Sequence, residues 1–107
     1  LRSIIASKRP TTLTPVILAE LKGPPVHGVQ FAGDNPLMRE SGLKRGDVVV
    51  AAYGYQVRNM IEYGILREST PQTNLVITVW DGIRYRELSV NIPHKRFGVS
   101  VQDYPLR

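Results

Sequence analysis

Two histidines, His27 and His94, and three carboxylates, Asp34, Glu40 and Asp47, are the side chains that could carry acid, base or metal chemistry. His27 follows Pro25-Val26 and His94 follows Pro93, so both are expected in loops and on the surface. Neither has a second histidine four positions away or the His-Glu-x-x-His setting of a zinc hydrolase. No Gly-x-Ser-x-Gly elbow occurs, and the absence of cysteine removes disulfides, thiolate zinc sites and thiol nucleophiles. Gly23-Pro24-Pro25 and Gly42-Leu43-Lys44-Arg45-Gly46 lack the strand-to-helix context of a phosphate-binding loop. Asp34 is placed to cap a helix and Asp47 to accept bonds from turn amides, so local roles account for both. The expectation is a chain with no catalytic residue, no metal ligand and no cofactor.

A length of 107 residues fits one domain with a real core, and 42% apolar against 21% charged residues excludes disorder over the whole length. The net charge of +5 raises the question of nucleic acid. The basic pairs Lys8-Arg9, Lys44-Arg45 and Lys95-Arg96 are scattered over loops and segment ends and form no stripe, so no nucleic-acid partner is expected. No run approaches the roughly 20 apolar residues of a membrane span. The N-terminus shows no signal-peptide apolar region, and any exporting or anchoring part would lie outside this chain.

The elements must place these side chains. Residues 1–22 read as an N-terminal linker or extension and 23–107 as the domain. Within the first part, Thr14 and Pro15 fit the cap and first position of a short helix over Pro15 to Leu21, although Val16-Ile17-Leu18 also suits a strand. Gly23-Pro24-Pro25 stops it, and His27 to Ala32 reads as a strand with Val29 and Phe31 on one face. Asp34 or Asn35 caps a helix beginning at Pro36, carrying Leu37 and Met38 inward and ending at Gly42. Lys44 to Asp47 is a tight turn, with Gly46 at its positive-φ position. Val48 to Ala52 is β-branched and apolar throughout, which predicts a strand buried on both faces.

Tyr55 to Val57 follows as a brief strand. Arg58 to Ser69 is the main helix, with Asn59 as N-cap and Glu62 as its capping-box partner. Met60, Tyr63 and Arg67 share one face of it, with Met60 and Tyr63 expected as core; Ile61, Ile65 and Glu68 share the next. Gly64 costs this helix roughly 1 kcal/mol relative to alanine. Leu75 to Trp80, the Asp81-Gly82 turn and Ile83 to Ile92 form a hairpin, with Trp80 half-buried in the sheet. Phe97 to Val101 alternates over five residues before a polar tail.

This order of elements, and above all Pro36 through Gly54 with Gly42-Leu43-Lys44-Arg45-Gly46-Asp47-Val48, resembles a PDZ domain of the type attached to bacterial proteases, over about residues 28 to 93. The resemblance implies an α+β, mainly β fold: a five- to six-stranded, partly open barrel or sandwich capped by two helices. It also implies a noncatalytic regulatory module of a larger bacterial protein such as an envelope protease, placed in the periplasm or cell envelope. In that family an extended or C-terminal peptide adds as a strand beside the longer helix, and its carboxylate meets amides of a glycine-containing loop. The matching positions are Ile61, Ile65 and Glu68 on the helix, with isoleucine favouring apolar peptide side chains. The histidine that selects hydroxyl side chains in another subclass is absent.

The family's Gly-apolar-Gly-apolar loop has no match before Val29. Its partial match is Arg96, Phe97, Gly98 and Val99, with arginine in place of the first glycine. Two arrangements fit. In one, residues 96–99 are the loop and Val99 to Val101 the peptide-pairing strand, a circular permutation. In the other, Pro15 to Leu21 supplies that strand and the tail covers the surface. A structural module whose groove is filled by its own terminus is the alternative function.

Overall fold

The protein is described by a computed structural model, which defines residues 15, 21–69, 73–92 and 97–105. Its sheet is built from β1 (Gly28–Phe31), β2 (Val48–Ala52), β3 (Tyr55–Gln56), β4 (Leu75–Trp80), β5 (Tyr85–Val90) and β6 (Val101–Tyr104). The helices are α1 (Pro36–Glu40) and α2 (Met60–Ser69). All pairings are antiparallel, in the order β5-β4-β2-β1-β6, with β3 paired to β2 off this path. The fold class is therefore α+β and mainly β, with an open six-stranded sheet and two helices among the described residues.

β2 lies in the middle and every one of its residues is buried, as its unbroken apolar run predicts. Val29, Phe31, Val49, Leu75, Ile77 and Val79 meet Met38, Leu43 and Leu66 in one core. Leu66 and the buried Glu62 turn the inner face of α2 toward β1 and β2. A carboxylate is tolerated there because Glu62 Oε1 accepts the Arg58 N–H at 2.8 Å and its two oxygens accept the guanidinium. Asn59 caps the helix through the Glu62 N–H at 3.0 Å. The capping box is thus half as expected: Glu62 reaches back to Arg58 rather than to Asn59.

The turn before β2 is closed by Asp47, which is 1% exposed. Its Oδ2 accepts the Lys44 N–H at 3.0 Å and its Oδ1 the Lys44 ammonium at 2.8 Å. Arg86 binds the Gly42 carbonyl at 2.7 Å and pairs with Asp81 at 3.2 Å, fastening this turn to the β4–β5 hairpin. Gly42 and Gly46 take the positive φ values, 88° and 95°, that the helix end and the turn require.

Pro15 forms an isolated antiparallel bridge with Tyr55, consistent with an edge position that needs no proline N–H; residues 16–20, and with them the choice between helix and strand for this segment, lie outside the described set. Two boundaries differ from expectation. β5 starts at Tyr85 because Asp81 Oδ1 accepts the N–H groups of Ile83 and Arg84 at 2.9 Å and holds both in the turn. The last strand occupies 101–104, mostly within the polar tail. No helix among the described residues is long and apolar enough to cross a membrane.

Candidate functional site

β6 closes one side of the sheet, and its outer edge can be read from the pairing of β1. The Phe31 N–H donates to the Asp47 carbonyl at 3.0 Å and the Phe31 carbonyl accepts from Gly46 at 2.9 Å, so Phe31 bonds toward β2. Ala32, the next residue, donates to the Ser100 carbonyl at 2.9 Å on the other side. Backbone groups alternate along an antiparallel strand. With Gln30 opposite Gln102 and Phe31 opposite Val101, Gln102 bonds inward to β1, whereas the N–H and C=O of Val101 and Asp103 point away from the sheet. β6 has no strand partner on that side among the described residues.

Cross-strand pairing also fixes the side chains. Val101 and Asp103 share the face of their partners Phe31 and Val29, the core face over which α2 lies. Gln102 takes the opposite face and donates its amide to Gln30 Oε1 at 3.1 Å. Asp103 Oδ1 accepts the Met60 N–H at 2.8 Å, which joins the outer strand to the first turn of α2.

Between α2 and β6 lie two cavities. One, of about 250 Å³, is lined by Phe31, Met60, Tyr63, Arg67, Phe97, Gly98, Val99 and Val101. The other, of about 470 Å³, is lined by residues including His27, Arg58, Met60, Val101, Asp103 and Tyr104. Both include Met60 and Val101, so they meet there as one cleft along β6. At about 3.3 Å per residue, the four residues of β6 give an edge of roughly 13 Å, enough for four residues of an added strand.

The loop at the head of β6 is pinned from two directions. The Phe97 ring meets Phe31 edge-on, with centroids 5.6 Å apart and planes at 88°. Asn35 Nδ2 donates to the Phe97 carbonyl at 2.8 Å while Asn35 Oδ1 caps α1 through the Met38 N–H at 2.9 Å. One amide thus serves both as helix cap and as loop anchor. Gly98 has a φ of +80°, a conformation that a side chain would strain.

Of the residues singled out by sequence, Phe97, Gly98, Val99 and Val101 come together in this cleft. Ile61, Ile65 and Glu68 line neither cavity; the helix turns Met60, Tyr63 and Arg67 there instead. Burial of Glu62 and Leu66 sets this rotation, leaving Ile61 60% exposed and Ile65 half-buried. Glu68 reaches Arg67 across 3.7 Å. Met60, expected in the core, is 43% exposed at the junction of the two cavities. Arg96 and His94 lie outside the described residues. His27, expected as a surface loop residue, is half-buried with its Nδ1 enclosed and unbonded.

Sequence reasoning missed Arg67 as a cleft residue and Asn35 as an anchor; the helical spacing of Arg67 with Met60 and Tyr63 was the available signal for the first. Asp34 binds Arg39 at 2.7 Å and the Arg45 N–H at 3.3 Å, and no group of three metal-binding side chains occurs among the described residues. Burial, followed by the neighbouring Tyr63, raises the Tyr53 phenol above its usual range. The arrangement offers backbone donors and acceptors beside a cleft of mixed lining, apolar at Phe31, Met60, Phe97, Val99 and Val101, with Arg58 and Arg67 in its wall. Comparison with protein-family models, curated proteins and solved structures gave no match to this chain.

Proposed function

We propose that this chain is a noncatalytic peptide-binding module of the PDZ type, accepting an extended peptide as an added strand on β6 beside α2. The observation that carries the reading is the outward-facing N–H and C=O of Val101 and Asp103 along an edge that has no strand partner among the described residues and borders an aromatic and aliphatic cleft. Strand addition supplies affinity through such main-chain groups, and pockets for alternate side chains supply specificity. The loop from Phe97 to Val99 stands where a peptide C-terminus would arrive, and the apolar lining suits apolar peptide side chains. In PDZ terms the loop and pairing strand come last in the chain, the permuted order. The module serves as a regulatory part of a larger bacterial protein such as a protease. A groove filled by residues 97–101 has less support, because these residues border the cleft as its wall.

Peptides with apolar side chains and a free C-terminus, titrated by fluorescence anisotropy, are expected to bind with micromolar Kd. N-methylation should abolish binding at alternate peptide residues, those facing β6, and leave the intervening ones unaffected. Uniform tolerance of N-methylation, or no binding by any peptide, rejects the proposal.

A further inference from the structure

Arg67 sits in the wall of the loop-end cavity with its side chain 15% exposed and its guanidinium carbon 5.0 Å from the centre of the Tyr63 ring. Its ion pair with Glu68 Oε2 spans 3.7 Å, beyond hydrogen-bonding distance, and Glu68 itself is largely solvated. The Arg67 Nε is buried and has no hydrogen-bond partner. A buried donor of this kind is costly to leave unmatched. Phe31, Tyr63 and Phe97 line the same cavity.

We infer that the loop end of the cleft is a carboxylate subsite, in which Arg67 binds an acidic side chain on the last residue of the peptide. This inference rests on the peptide-binding reading and narrows it at one position. The Nε edge of a guanidinium presents two parallel donors that match the two oxygens of a carboxylate. Glutamate fits both halves of the site: its methylenes lie against the aromatic walls and its carboxylate reaches the enclosed Nε. Met60 and Val101, where the two cavities meet, face an earlier side chain of the peptide.

The test uses peptides identical except for a last residue of Glu, Gln or Val, each as free acid and as C-terminal amide, titrated against the chain and against Arg67→Met. The chain is expected to bind the Glu peptide about tenfold more tightly than the Gln peptide, in both free-acid and amide forms. Arg67→Met should remove that preference while still binding the Val peptide. Equal affinity for Glu and Gln, a preference for Val, or an undiminished Glu preference in Arg67→Met overturns the subsite but leaves peptide binding standing. A dependence on the terminal carboxylate with no Glu-to-Gln difference overturns it too, since the cation then reads the main chain. Failure of every peptide to bind removes both proposals. If Arg67→Met does not fold, the Glu-to-Gln ratio of the unaltered chain decides.

Discussion

The turn that leads into β2 and the cleft beside β6 use similar residues to opposite ends. At the turn, Asp47 is buried with both oxygens engaged, by the Lys44 N–H and the Lys44 ammonium, and Arg86 spans Gly42 and Asp81 beside it. At the cleft, Arg67 keeps an enclosed donor unbonded, His27 an enclosed nitrogen, and β6 a row of outward backbone groups. At the turn the buried carboxylate is fully engaged, and Arg86 Nε, although it makes no hydrogen bond, has the Asp81 carboxylate 3.2 Å away; an engaged polar network rigidifies a fold, whereas unmatched polar groups lining a cavity leave free energy to be gained from a ligand. The contrast separates a scaffold end from a recognition end within one sheet.

The division can be broken by moving a loss from one end to the other. Asp47→Ala is expected to cost about 2–4 kcal/mol in urea unfolding, because a buried network loses its centre. Its folded fraction should bind peptides with unchanged Kd; weakened binding at full stability would dissolve the distinction. Asn35→Ala touches both ends. Loss of the α1 cap should cost about 1–2 kcal/mol, and release of the Phe97 carbonyl should weaken peptide binding in the same variant. Gly64→Ala sharpens the comparison from the opposite side. A Cβ at that helical position meets nothing within 4 Å, so the variant should gain about 1 kcal/mol in the same assay without altering peptide affinity.

The smallest effect concerns pH. Backbone bonds from Arg84, then Ile83, hold Asp81 below the ordinary carboxylate range. A depressed folded value means that its contribution is present above the unfolded pKa of about 3.9 and is lost as pH falls through the folded value. Asp81→Asn should therefore lower the urea midpoint slightly at neutral pH, and the difference should vanish under acid. A constant difference across pH would assign the effect to geometry rather than charge.

The scaffold end was largely legible in the sequence, the cleft only partly. A five-residue apolar run is hard to place anywhere but the centre of a sheet, and the helix-turn signals at Asn35, Gly42 and Gly46 are local. The rotation of α2 was hidden because two of its faces carry apolar residues and the buried face contains Glu62, whose partner Arg58 neutralises a charge that otherwise signals solvent. β6 was hidden for a related reason. Gln102, Asp103 and Tyr104 look like a polar tail, yet Gln102 pairs with Gln30 on one face, and Asp103 satisfies the helix end on the other. Neither relation follows from periodicity.

The pairing of β6 with β1 joins residues seventy or more positions apart, whereas β4 and β5 meet across a short turn. Closing a long loop costs more entropy than closing a short one, and an outer strand bonded on one side only is the part of a sheet that opens most readily. Amide hydrogens along the β1–β6 seam should consequently exchange with solvent sooner than those of the β4–β5 hairpin. A strand docked on β6 would slow that exchange on its far side, in bonds it never touches, so protection at Gln30 and Gln102 becomes a remote meter of occupancy.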